Sequence, residues 1–81
     1  MKLYGTELNA SNPIEETGVS KLREVTLEVS IDDLKMISDF FKACYDEYSC
    51  DPEWDHMHLV DFAYKTRYSG PDIIVYSANE K

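Results

Sequence analysis

The stretch from residue 31 to residue 48 constrains the fold most, because its pattern predicts one long amphipathic helix. Apolar side chains recur at steps of three and four residues, which places them in a single stripe on a helix. The members of this stripe are Leu34, Ile37, Phe41, Cys44 and Tyr48. The opposite face carries Lys35, Asp39, Lys42 and Asp46. A helix with one apolar stripe must pack against another element, so the chain is expected to place a sheet against it.

Ser30 marks the predicted start of this helix. A serine before an apolar-periodic stretch is a favoured N-cap, and Asp33 follows it at the position of the second partner in a capping box. Asp32 adds a second carboxylate in the first turn, where negative charge complements the helix dipole.

Strands are predicted at residues 2–8, 22–29 and 72–77. The second is the clearest, because Val25, Leu27 and Val29 alternate with polar residues and so predict one buried face. The third is apolar on both faces from residue 73 to residue 76, which predicts a central place in the sheet.

These elements predict an α+β fold in one domain of 81 residues. Residues 9–20 are rich in turn-forming types and are expected to be a loop, and residues 49–64 are expected to form an acidic loop and a short helix. The predicted order is β-β-α-(short α)-β. A small mixed or antiparallel sheet of about three strands would pack on the long amphipathic helix.

The charge balance excludes several classes of partner. Sixteen acidic residues against eight basic ones give a formal net charge of −8. Nucleic acids and anionic membrane surfaces are contacted through clustered Lys and Arg, so neither is an expected partner. A protein with a basic surface fits this charge better.

The acidic residues are concentrated between residues 43 and 64, a segment with no Lys or Arg and with several aromatic residues. Carboxylates steer a basic partner, and aromatic side chains can anchor an interface, so we predict that this segment binds a protein. Tyr48 and Trp54 are the expected anchors. The alternative is a solvated acidic surface whose aromatic residues belong to the core. The candidate partner-binding residues are Asp46, Glu47, Tyr48, Asp51, Glu53, Trp54, Asp55, His56, His58 and Asp61.

His56 and His58 allow a second hypothesis, a small metal-binding domain. Two histidines separated by one residue point the same way on a strand, where they could share a metal ion with Asp61 or Cys50. On a helix the two side chains would lie on different faces. The structural alternative is that these histidines bond backbone groups at a helix start that Asp55 caps.

No motif predicts catalysis, and no cofactor is expected. The sequence has no Gly-rich phosphate loop, nucleophile elbow or catalytic triad signature. Its first residues show neither a secretory signal nor a transmembrane segment, so a cytoplasmic location is expected. Cys44 and Cys50 are then expected to be reduced thiols.

Three segments together resemble a known family of small bacterial proteins, immunity protein 32. They are LREVTLEVS at residues 22–30 with the following helix, HxHLxD at residues 56–61, and PDIIV at residues 71–75. The resemblance covers roughly residues 22–76. It implies a protein that neutralises a cognate toxin by direct binding, and it gives weight to His56, His58 and Asp61. A further alternative is an uncharacterised regulatory or structural homodimer formed through a sheet edge.

Overall fold

The structure is a computed structural model that describes residues 1–8 and 20–78. The predicted loop at residues 9–20 lies, except for its last residue, outside the described residues. In chain order the elements are β1 (Lys2–Glu7), β2 (Leu22–Glu28), α1 (Ile31–Cys50), β3 (His56–His58), α2 (Leu59–Phe62), a 3₁₀ turn (Tyr64–Thr66) and β4 (Ile74–Tyr76). The predicted α+β class and the single long helix are confirmed.

The strands form two separate antiparallel pairs within the described residues. β1 pairs with β2, with Leu3 opposite Leu27, and β3 pairs with β4. The expectation of about three strands in one sheet therefore missed β3, whose residues were assigned to a short helix that in fact begins at Leu59. A strand of three residues is too short to show the alternation by which strands are recognised.

The start of α1 has the predicted capping box. The Ser30 hydroxyl accepts a hydrogen bond from the Asp33 N–H at 3.0 Å, and the Asp33 carboxylate accepts one from the Ser30 N–H at 3.3 Å. The bond from the Ser30 backbone is the main reason why the pKa of Asp33 is lowered, and the Met1 amino group, 3.3 Å from the same carboxylate, adds to it. The helix continues to Cys50, two residues beyond the predicted end.

The core lies between α1, α2 and the β3–β4 pair. Its buried residues are Ile37, Phe40, Cys44, Trp54, Leu59 and Ala63. The predicted stripe on α1 was therefore partly wrong, because Phe40 is fully buried whereas Leu34 and Phe41 are exposed. Both sets of residues recur at helical spacing, and the elements packed against α1 decide which set is covered.

Two strand predictions are also corrected. Leu27 and Val29 pack against the core as expected, but Val25, on the same face of β2, is exposed. The last strand is not central: Val75 packs inward, while Ile74 and Tyr76 are exposed. The β3–β4 pair is covered by the core on one face only, so its other face remains at the surface.

Candidate functional site

The β3–β4 pair places His56 and His58 on one face of the molecule. In its antiparallel register His56 lies opposite Tyr76, and His58 lies opposite Ile74. Side chains alternate along a strand, so the residues between them point the other way, where Met57 and Val75 pack against the core. The outward side chains form a surface that we call the ribbon face, consisting of His56, His58, Ile74 and Tyr76.

Each imidazole of the ribbon face is held by a carboxylate. Nδ1 of His56 lies 2.7 Å from Oδ2 of Asp55, and Nδ1 of His58 lies 2.6 Å from Oδ2 of Asp72. An ionised carboxylate only accepts hydrogen bonds, so both rings donate through Nδ1. The ring centroids are 5.1 Å apart with the planes at 74°, an edge-to-face arrangement. The two rings are therefore fixed in orientation although both are partly exposed.

Asp72 connects the ribbon face to α2. Its second oxygen accepts a hydrogen bond from the Val60 N–H at 3.0 Å, in the first turn of that helix. Partial burial raises the pKa of Asp72, but the hydrogen bonds from His58 and Val60 outweigh it, so the pKa is lowered. Asp72 thus does the capping that was predicted for Asp55, which instead holds His56. Sequence reasoning missed Asp72 because its partners lie 12 and 14 residues away.

The ribbon face combines apolar area with acidic neighbours. Tyr76 is 72% exposed and Ile74 is 55% exposed, and the Asp55 side chain beside them is also exposed. Paired side chains on neighbouring strands lie about 5 Å apart, so the pairs His56–Tyr76 and His58–Ile74 form one continuous patch. The predicted acidic residues are all at the surface as well: Asp46, Glu47, Asp51, Glu53, Asp55 and Asp61.

Trp54 is not an exposed anchor, which corrects one prediction. Only 8% of it is exposed, and its ring stacks on that of Tyr48 with centroids 5.2 Å apart. Its indole N–H donates to the Glu47 carboxylate at 3.3 Å. Tyr48 is half-buried in the same contact. These two aromatic residues therefore stabilise the fold, and the exposed aromatic residue of the site is Tyr76.

The predicted set of metal ligands does not come together. Among the residues that the structure describes, no group of three or more His, Cys, Asp or Glu side chains is placed to hold a metal ion. Asp61 lies on α2, and the carboxylates next to the imidazoles are those of Asp55 and Asp72. Cys44 and Cys50 are both free, with Cys44 buried and Cys50 exposed.

A cleft of about 610 Å³ lies elsewhere, between the first half of α1 and the segment from Phe62 to Gly70. Two of its carboxylates already have partners in the chain, since Asp33 accepts from Ser30 and Asp39 from Lys35. The cleft shares no lining residue with the ribbon face. These two carboxylates serve the helix start and the surface of α1, and we assign the candidate site to the ribbon face.

Over residues 1–8 and 20–78, no helix combines the length and the apolar character needed to cross a membrane. In comparisons with known proteins, no family model, no curated protein and no solved structure matches this chain. The resemblance to immunity protein 32 therefore stays a prediction that depends on the sequence motifs.

Proposed function

We propose that this protein is a non-enzymatic interaction protein that neutralises a basic protein toxin by binding it directly. The observation that carries this proposal is the ribbon face, where exposed Tyr76 and Ile74 adjoin two imidazoles fixed by carboxylates. An exposed apolar patch bordered by polar groups is typical of a protein interface. The resemblance to immunity protein 32 supports a toxin as the partner.

The side chains of the proposed interface contribute to binding in different ways. Among the four residues of the ribbon face, which strand pairing brings together, Tyr76 has the largest exposed fraction. A tyrosine that becomes desolvated at the centre of an interface often contributes 2 kcal/mol or more to binding. The imidazoles are held in place before binding, so little rotamer entropy is lost when a partner contacts them.

The exposed acidic residues between residues 51 and 61, which we call the acidic segment, account for the choice of a basic partner. Exposed carboxylates at residues 51, 53, 55 and 61 raise the association rate of a positively charged surface, and salt screens this attraction. A nuclease toxin, whose active site must attract phosphates, would present such a surface. We place this action in the cytoplasm, a reducing compartment in which Cys44 and Cys50 stay free thiols.

The direct test is to search the genes next to this one for a toxin domain and to measure its binding by calorimetry, with matched tyrosine variants. Tyr76→Ser removes the proposed anchor, whereas Tyr64→Ser removes a tyrosine that is 71% exposed on the 3₁₀ turn. We expect Tyr76→Ser to raise Kd by at least about 30-fold, the equivalent of about 2 kcal/mol. Tyr64→Ser should leave Kd within about threefold of the wild-type value.

Neutralisation in cells provides the second readout. Bacteria that produce the toxin should survive with the wild-type protein or Tyr64→Ser and should die with a combined Ile74→Ser and Tyr76→Ser variant. Normal circular dichroism of the combined variant excludes unfolding as the cause. The proposal is wrong if that variant binds and protects as well as the wild type, or if Tyr64→Ser is equally defective.

A further inference from the structure

The outward side of α1 carries a second apolar surface that was not expected from the sequence. Ile31 is 85% exposed and Tyr45 is 70% exposed, and Leu34 and Phe41 between them are about half exposed. With Ser38 these residues follow each other at steps of three, four, three and four, the spacing of a helix-pairing seam. We call this surface the outer stripe, consisting of Ile31, Leu34, Ser38, Phe41 and Tyr45.

Ser38 does not oppose burial of the outer stripe. Its hydroxyl donates to the Leu34 carbonyl oxygen at 2.9 Å, within the same helix. A hydroxyl that already has a partner can lose its contact with water at little cost. Serine is also small, so a helix crossing at this position could approach closely.

The charges beside the outer stripe are balanced within the chain. Lys35 pairs with Asp39 at 2.6 Å, and Lys42 pairs with Asp46 at 2.7 Å. The chain as a whole has a net charge of −8, yet the four charged side chains of these two ion pairs sum to zero. A second copy of the chain therefore meets no net repulsion from these two ion pairs.

We propose that a second copy of this chain covers the outer stripe, with the two α1 helices antiparallel about a twofold axis at Ser38. This arrangement places Ile31 against Tyr45 of the partner subunit and Leu34 against Phe41 of the partner subunit. A twofold interface requires a surface that complements itself, and the stripe comes close to this because residues 31 and 45 lie seven positions on either side of residue 38 and residues 34 and 41 lie four and three positions from it. Full coverage of the four exposed side chains would bury roughly 500 Å² per copy and about 1,000 Å² in all, which is the size of a weakly associating dimer.

Sedimentation equilibrium of the full chain tests this proposal, up to about 200 μM protein. The wild type should approach twice the 9.4-kDa mass of one chain. Leu34→Glu, which keeps high helix propensity, should raise the dimer dissociation constant at least about tenfold. The matched control is Leu8→Glu, because Leu8 has a similar exposed fraction, 59% against 54%, but lies at the end of β1. Its dissociation constant should equal that of the wild type.

Ser38→Gln provides a variant that changes no charge and favours helix formation. A larger side chain at the crossing should also weaken the dimer at least about tenfold, without loss of circular dichroism. Added salt should leave the dimer unchanged or strengthen it, because it screens the net negative charge of the two copies. A monomer at all concentrations, or equal dissociation constants for the wild type, Leu34→Glu and Ser38→Gln, would overturn the proposal.

Discussion

Trp54 is the residue whose role differs most from the one expected of it. Its ring is stacked on Tyr48, and its N–H is bonded to Glu47, so one side chain joins the end of α1 to the segment before β3. An acidic segment with one tryptophan suggests an exposed anchor. In a chain of 81 residues with a small core, however, Trp54 is the largest of the buried side chains, so its burial stabilises the fold strongly.

Trp54→Ala should therefore destabilise the fold. Replacing a buried tryptophan by alanine typically costs about 3–5 kcal/mol, a large part of the roughly 4–12 kcal/mol expected for a domain of this size. Urea unfolding followed by circular dichroism measures the change. Tyr64→Ala is the control, and its exposed side chain should give a change below about 0.5 kcal/mol. A loss below about 1 kcal/mol for Trp54→Ala would contradict its place in the core.

Asp72 makes stability depend on pH. Its pKa is lower in the folded chain than in the unfolded chain, where it is about 3.9. The ionised carboxylate therefore contributes its full stabilisation above the unfolded pKa and loses it as the pH falls through the folded pKa.

Asp72→Asn tests this contribution. The variant loses charged hydrogen bonds to His58 and Val60, so the free energy of unfolding at pH 7 should fall by about 1–2 kcal/mol. As the pH falls from about 4 through the folded pKa of Asp72, the free energy of unfolding should decline less steeply in the variant than in the wild type. Urea unfolding at a series of pH values gives both quantities, and parallel pH profiles would refute the role assigned to Asp72.

At the scale of single elements, α1 depends on its capping box. Ser30→Ala removes the acceptor of the Asp33 N–H and should lower the free energy of unfolding by about 1 kcal/mol. Ser30→Thr keeps a hydroxyl at this position and should retain most of that stabilisation. Thermal unfolding compares the three proteins. Equal midpoints for the wild type and Ser30→Ala would show that the box contributes nothing to stability.

The helix also shows where sequence reasoning succeeds and where it stops. The cap and the extent of α1 depend on neighbouring residues, so the sequence predicts them well. The covered side of α1 depends on distant elements. Apolar residues at Leu34, Ile37, Phe40, Phe41 and Cys44 span a wide arc, and packing against the core selects Ile37, Phe40 and Cys44 for burial.

The β3–β4 pair was harder to predict, because it too depends on contacts between residues that are far apart in the chain. Three-residue strands carry no usable period, and they are defined by pairing with a strand far along the chain. The sequence therefore located the histidine pair, Asp55 and the acidic residues. The sequence did not show that Asp72, Ile74 and Tyr76 lie beside these residues, because only the antiparallel pairing of β3 with β4 places them there.

At the scale of the whole molecule, the small thickness of the protein explains why the outer stripe and the ribbon face remain exposed. The extents are 37 × 35 × 17 Å, and the Cα radius of gyration is 14.2 Å, compared with about 12 Å for a compact chain of this length. A thickness of 17 Å accommodates only two layers of secondary structure. The inner sides of α1 and of the β3–β4 pair contribute to one core, in which Cys44 lies against Met57, and the outer stripe and the ribbon face stay at the surface.

The two proposed interfaces respond to salt in opposite directions. Binding of a basic partner to the acidic segment weakens as salt rises, because attraction between unlike charges is screened. Pairing of two copies through the outer stripe does not weaken, because its flanking charges are balanced and the remaining net charge is repulsive. A salt series on each equilibrium therefore separates the two contacts.

Mapping of amide chemical shifts on the labelled protein, with and without the toxin domain, tests the ribbon face most directly. We expect the largest shift changes at residues 55–58 and 72–77, with smaller changes along the acidic segment. Changes confined to the β1–β2 hairpin, with the amides of His56, His58, Ile74 and Tyr76 unaffected, would contradict it.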